Sequence, residues 1–209
     1  MPRSTNPFVS RIYFWWLIAP VLSAMLFPAF LTVQQLQITQ HEADFAEETR
    51  QDVVAVNQTA ARCFNDWFVE NGILARSMSA SSRADATGVV ESSWLVRTLH
   101  DWFVKFWLFT YRCLWRWIAF WPLYVSGLLG IALPCLVDGM VARSKKRYDF
   151  GQYNPLAFGV SGRFFAIVIG WLFYVPMLPL PLTGALMASL FCAFGLFAWL
   201  TTANFQRGR

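Results

Sequence analysis

Forty consecutive residues, 164–203, carry no charged side chain. At about 1.5 Å of rise per residue, one helix of that length would reach about 60 Å, twice the hydrocarbon core of a bilayer. Pro176, Pro179 and Pro181 interrupt it in the stretch PMLPLPLTG. Proline cannot continue a regular helix, because it lacks an N–H and clashes with the preceding turn. The run therefore reads as a transmembrane hairpin, with spans near 164–178 and 182–202.

Two further stretches have the length and apolarity of a span. Residues 12–33 and 117–137 contain no charge. Charged residues are 14% of the chain and aromatics 18%, against about 25% charged in a soluble domain. The fold class expected is an all-α membrane protein. It has four transmembrane helices and a helical outward (periplasmic) loop between spans one and two. Its parts are an N-terminal tail and first span (1–37), a periplasmic helical region with an amphipathic interfacial helix (38–116), a second span (117–137), a basic cytoplasmic loop (138–163) and the hairpin with its C-terminal tail (164–209).

Lysine and arginine in the loops set the orientation. Arg3, Arg11, Arg143, Lys145, Lys146, Arg147, Arg163, Arg207 and Arg209 stand against Asp138 and Asp149 on one side. Residues 34–112 carry seven basic and ten acidic residues. Both termini and the basic loop are thus expected in the cytoplasm, and the long acidic loop outside. The net charge of +5 is a topology signal, and no direct nucleic-acid binding is expected. The first apolar stretch is longer than a leader's and no A-x-A site follows, so a retained span is expected.

Outside the spans, residues 40–78 have helical spacing, with acids at the start favouring a helix N-terminus. SASSRADATG (79–88) reads as a loop. A second helix begins near Val89 and carries Arg97, Asp101, Lys105, Arg112 and Arg116 as a stripe, with an i,i+4 ladder from Arg97 through Asp101 to Lys105. Around the stripe stand Trp94, Trp102, Phe103, Phe106, Trp107 and Phe109. They suit the outer leaflet, the chain's own helices, or a partner. Of the four cysteines, Cys135 and Cys192 read as packing residues. Cys63 and Cys113 lie where an oxidising periplasm permits a disulfide, but spacing does not pair them.

Chemistry has few candidates. Neither His41 nor His100 forms H-E-x-x-H, and no G-x-x-x-x-G-K loop occurs. His100 and Asp101, as neighbours on a helix, point about 100° apart. No ionisable residue falls within an expected span, which weighs against an ion path or proton relay. No enzymatic activity, metal or cofactor is expected. Ala185, Ser189 and Ala193 recur four apart, a spacing that lets helices approach closely. It suits packing within the chain, for instance against the third span, or else self-association or contact with a partner.

The stretch LVDGMVARSKKRYDFGQYNP (136–155) asks for more than a topology anchor, which needs only lysine and arginine. Asp138, Gly139, Arg143, Arg147, Tyr148, Phe150, Gly151 and Pro155 read as a shaped cytoplasmic turn that could dock a partner, with Gly151 free to take positive φ. This stretch resembles the loop of the integrating conjugative element membrane proteins, a family classed as a domain of unknown function. There a span closes with L-V-D-G-x-V, followed by arginines four apart and an aromatic or small residue with glycine. Asp138 and Gly139, Arg143 and Arg147, and Phe150-Gly151 match. The ending ANFQRGR resembles the family's small-residue, phenylalanine and basic end. The resemblance covers about residues 117–209. It matches the outward loop only in layout, and the histidine common in the family's cytoplasmic loop is missing.

What the resemblance implies is an inner-membrane accessory subunit of a conjugative type IV secretion system, beside the coupling ATPase or another membrane subunit. A different class stays open: an entry-exclusion or signalling protein that recognises a mating partner through its outward loop. Membrane lipid is a partner in either case, and the small-residue row leaves a homo-oligomer open. A periplasm-only reporter fused after Arg209 is expected to be silent and one at residue 85 active. The reverse pattern would refute the orientation.

Overall fold

The computed structural model describes residues 7–86, 93–148 and 155–205, and every regular element among them is helical. In chain order these are α1 (Pro7–Phe30), α2 (Val33–Leu36), α3 (Gln40–Glu48), α4 (Val53–Phe64) and α5 (Ile73–Ala86), then α6 (Ser93–Gly127), α7 (Leu133–Tyr148), α8 (Pro155–Tyr174) and α9 (Gly184–Ala203). A π-turn, Asn65–Val69, follows α4, and another, Leu128–Ala132, joins α6 to α7. At the second, the Leu133 N–H reaches back to the Leu128 carbonyl. Pro134 comes next and has no N–H to give, so the wider turn falls where the regular ladder is already broken.

Among the described residues, three helices are long and apolar enough to cross a membrane: Arg97–Lys145, Phe158–Met177 and Gly184–Ala203. Ile18–Phe30 is a shorter apolar helix. The proline break behaves as expected. α8 ends at Tyr174, a 3-10 turn covers Val175–Met177, and the Thr183 hydroxyl caps α9 by accepting from the Leu186 N–H.

Three expectations need correction. SASSRADATG is helical through Ala86, because Ser79, Ala80 and Ala84 do not break a helix that Ile73 has already begun. The helix expected over 40–78 is divided. α3 closes on a left-handed Arg50 (φ 62°), with Arg50 N–H bonded to Glu47 O and Gln51 N–H to Ala46 O. This is the Schellman pattern, with arginine where glycine is usual. Asp52 then caps α4 through the Val54 and Ala55 N–H groups. Finally, Asp138 and Gly139 do not open a turn: α7 continues to Tyr148, and α8 begins at Pro155 and contains Arg163. Arg163 thus lies within a helix long enough to span, where no charge was expected. Phe150 and Gly151 lie outside the described residues.

The chain forms two compact units. One comprises the described residues to Ile18, Pro122–Pro176 and Leu182 onward. In it the end of α6 and α7 run parallel to α9, as three matched positions show. A methyl at Gly127 would lie 2.7 Å from the Phe191 ring, one at Gly195 2.9 Å from Cys135 Sγ, and one at Gly139 2.9 Å from the Trp199 carbonyl and against Thr202 Oγ1. Gly139 is therefore a close-packing residue. α8 runs antiparallel to α9. Phe164 stacks on Phe197 (5.1 Å, 13°), Phe165 meets Phe194, and Phe158 meets Phe205 edge-on. The buried face of α9 is Met187, Phe191, Phe194, Gly195 and Ala198.

Gly139→Val is expected to cost about 1–3 kcal/mol through overpacking and to lower the apparent Tm in mild detergent. Gly130→Ala, at a position open to its surroundings, is expected to leave Tm within about a degree or two of wild type.

Candidate functional site

The second unit comprises Ala19–Trp121 and Met177–Pro181. Its centre is built by α6. Trp107, Phe109, Arg112, Trp115, Arg116, Ala119 and Phe120 are all buried, and the last five recur at i, i+3, i+4, i+7 and i+8, which is one helix face. Around that face the chain wraps its own aromatic and polar groups. Phe109 meets Phe27 edge-on, Trp107 packs between Phe64 and Phe68, and Phe120 stacks on Phe45. The Trp107 indole donates to Ser77 Oγ at 3.0 Å and the Trp115 indole to Asn57 Oδ1 at 2.6 Å.

Two arginines on this face meet one carboxylate. Glu42 from α3 is 0% exposed, Arg112 2% and Arg116 1%. Arg112 Nη2 donates to Glu42 Oε1 at 2.7 Å, and Arg116 Nη2 donates to the same oxygen. Three further guanidinium hydrogen bonds go to backbone. Arg112 Nη1 donates to the Gln35 carbonyl, and Arg116 donates to the Leu178 carbonyl and, at 2.6 Å, to the Leu180 carbonyl.

The acceptors follow from local structure. Gln35 lies at the end of α2, where helix carbonyls lack intrahelical partners. Leu178 and Leu180 lie in the turn holding Pro176, Pro179 and Pro181. Prolines supply carbonyls but no N–H groups, so such a turn has surplus acceptors. A guanidinium offers up to five donors and answers that surplus. The cluster carries two positive charges against one negative, and the carbonyl dipoles offset the remainder. Its chemistry is that of a structural pin: the charges are enclosed and engaged with protein groups.

Sequence reasoning placed Arg112 and Arg116 on an outward stripe and missed their pairing. Their i,i+4 spacing beside an uncharged run was a legible signal. Which of ten nearby acids would answer them was not. The expected ladder does not form: Arg97, Asp101 and Lys105 make no ion pair with one another among the described residues.

The proposed aromatic surface is divided. Trp107 and Phe109 are buried in the chain itself. Trp102, Phe103 and Phe106 are half-buried, with Trp102 stacked on Phe106 (5.3 Å, 17°) and its indole donating to the Met25 carbonyl at 3.0 Å. Trp94 is 65% exposed.

The residues of the basic stretch are also partly spent within the chain. Trp199 Nε1 donates to Asp138 Oδ2 at 2.7 Å, Gly139 seats α9, and the Arg143 guanidinium lies 4.9 Å from the centre of the Phe205 ring. Arg147 and Tyr148 fall in the last turn of α7, and Pro155 opens α8. Ala185 and Ser189 are exposed and Ala193 is half-buried, so the small-residue row does not form the α8–α9 contact expected of it. The large side chains Phe191 and Phe194 do. The four cysteines are free thiols, and Cys63 and Cys113 form no bridge.

The described residues are thus those of an all-helical protein with three helices long and apolar enough to cross a membrane, one of which carries both arginines of an enclosed ion cluster. Residues 31–206 match the family described as IncC plasmid conjugative DNA transfer protein DtrJ-like, and the chain belongs to that family. It is thereby a protein of conjugative DNA transfer, which fits the conjugative-element resemblance of residues 117–209. No curated protein and no solved structure matches it significantly.

Glu42→Ala would leave two buried guanidinium groups without a carboxylate. We expect a loss of about 3–5 kcal/mol, as for other broken buried ion pairs, read as early unfolding in mild detergent. Glu47→Ala, on the exposed face of the same helix, is expected to stay within about 0.5 kcal/mol.

Proposed function

We propose that the protein is a non-enzymatic inner-membrane accessory subunit of a conjugative type IV secretion system, and that it binds the membrane domain of the coupling ATPase. Membership of the DtrJ-like family over residues 31–206 is the observation that carries this reading. It is supported by the way the chain uses its polar groups. Glu42, Arg112 and Arg116 hold the chain to itself, which suits a scaffold more than a reaction centre.

In this reading α1, at 24 residues, is the fourth span. Its length of about 36 Å exceeds a hydrocarbon core of about 30 Å. Both termini are cytoplasmic and α3–α5 lie outside. The contact surface is the part of the outward region that the chain does not cover itself: Trp94, with Trp67 and Val54, all exposed. The cytoplasmic stretch around Arg147, Phe150 and Gly151 is a second contact with the same apparatus. The same exposed tryptophans favour the other reading, an entry-exclusion or signalling protein that meets a mating partner through its outward face.

The two readings part on co-purification from conjugation-proficient cells in mild detergent. The coupling ATPase is expected with the tagged chain. Trp67→Ala with Trp94→Ala is expected to lower its recovery at least tenfold, as for aromatic anchors worth 2 kcal/mol or more, while the protein still reaches the membrane. If no ATPase is recovered and the same variant instead alters exclusion of a second donor, the outward-recognition reading replaces this one.

A further inference from the structure

The chain passes between its two units four times, at Ile18–Ala19, Trp121–Pro122, Pro176–Met177 and Pro181–Leu182. A proline stands at or beside every passage: Pro20, Pro122, Pro176 and Pro181. The chain has ten prolines in 209 residues, so a proline at each of the four passages asks for a physical reason. Pro176 and Pro181 lie in the connection between α8 and α9, and the hairpin accounts for them. Pro20 and Pro122 lie inside α1 and α6. Of the other prolines in the described helices, Pro7 and Pro155 each open one, Pro134 is the second residue of α7, and Pro28 falls in the last turn of α1. Among the described residues, Pro20 and Pro122 are thus the prolines that stand more than a turn from a helix end.

A proline inside a helix has no N–H for the carbonyl four residues before it, and its ring presses on the preceding turn. Helices bend at such points, as they do at Gly/Ser pairs and at π-turns. Here these causes collect. The Ser23 hydroxyl donates to the Pro20 carbonyl at 2.9 Å, and the Ser126 hydroxyl to the Leu123 carbonyl at 3.0 Å. Such back-bonds compete with the helix ladder and favour a bend. Ser126 is followed by Gly127 and then by the π-turn Leu128–Ala132. A methyl at Gly130 would meet nothing within 4 Å, so that turn has room to change. The parts on either side are stiff. In the second unit, Glu42, Arg112 and Arg116 tie α3 and the proline turn to α6. In the first, glycines at 139 and 195 hold α7 against α9, and Phe164 stacks on Phe197. Bending therefore concentrates at the passages.

We propose that these prolines form a joint, with α1 bending at Pro20 and α6 at Pro122, so that the second unit rocks as one body. The turn prolines serve the same movement at the other two passages, where no helix has to bend. In the helix that is long enough to cross a membrane, water does not replace a missing backbone bond. Pro122 therefore costs stability there that an alanine would not, and the joint is what that cost provides. It passes a displacement of the outward helices into the tilt of α7, or the reverse, without opening either core. It does so whichever partner meets the outward face.

The test uses the full chain in lipid nanodiscs, with alanine replacing the four native cysteines and nitroxide labels at exposed positions. One labelled pair has a member in each unit, Gln58→Cys with Val141→Cys. Two control pairs each stay within one unit, Gln58→Cys with Arg76→Cys and Val141→Cys with Leu196→Cys. Val141 lies about 28 Å of helix beyond Pro122, so a bend of about 20° there moves it by roughly 10 Å. The distance distribution of the first pair, read by double electron–electron resonance, is expected to be broader than either control by about 10 Å. Pro20→Ala with Pro122→Ala gives both helices back their N–H groups. It is expected to narrow the distribution to the width of the controls, and to lower DNA transfer from cells that carry it. Pro28→Ala, further along α1 and inside the second unit, is expected to leave the width unchanged.

A first pair no broader than the controls, or one whose width survives the double alanine change in a monodisperse preparation, overturns the proposal. So does equal narrowing by Pro28→Ala, which would make the effect one of general stiffness. A narrowed distribution with undiminished DNA transfer also overturns it, because the movement would then serve nothing. Failure here leaves the coupling-ATPase reading standing, since that is decided by co-purification.

Discussion

A single carboxylate buried between two guanidinium groups organises the second unit. Isolated, each of these ions would be costly to take out of water, and removing one partner strands the others. Glu42 therefore cannot lie elsewhere while α6 is packed. Its helix, α3, is drawn onto the aromatic face of α6, where Phe45 stacks on Phe120. The carbonyl at the end of α2 and two carbonyls of the proline turn complete the shell. Segments about 70 residues apart on one side of α6 and about 60 on the other are tied to adjacent turns of one helix. The aromatic packing around the cluster supplies the larger stabilisation. The ions decide where each segment is placed.

The first unit relies on a different constraint. There, helices approach where the backbone is bare. Gly139 and Gly195 let α7 and α9 come together in parallel, and Asp138 spends its carboxylate on Trp199 beside that contact. Within lipid, apolar burial provides little drive for helix association, so close backbone approach and an interhelical hydrogen bond carry more of it. A sequence that looked like a shaped turn is thus a helical seam. Aspartate and glycine side by side suggest a turn in water. Within a span they can instead mean a bond and a contact.

The gross arrangement was legible. An uncharged run of forty residues broken by prolines gave the hairpin, because helix length and proline chemistry are local properties. The aromatic helix was legible for the same reason. What was not legible was pairing over distance. Arg112 and Arg116 looked like the end of a solvated stripe, and only the fold brings Glu42 and the turn carbonyls to them. Ala185, Ser189 and Ala193 misled because spacing reports which residues share a face and does not report which face is covered. The extension of α5 through Ala86 was missed because serine and alanine in a row resemble a loop, while their helix propensities permit either state. The family assignment came from the basic stretch and the C-terminal end, although much of what those residues do is internal.

Arg116 reads the proline turn through its main chain. A carbonyl oxygen is the same on every residue, so the hold on Leu178 and Leu180 is indifferent to their side chains, and Leu180 points outward. The turn can thus drift in sequence, provided it keeps its shape and its shortage of N–H groups, while its receptor cannot drift at all. A proline turn facing an arginine would ordinarily be dismissed as a linker beside a charge. Here the two form one recognition element, in which one side carries its information in geometry and the other in identity. A substitution at Leu180 is therefore answered by whatever lies outside the turn, lipid or protein, and leaves the grip within it unchanged.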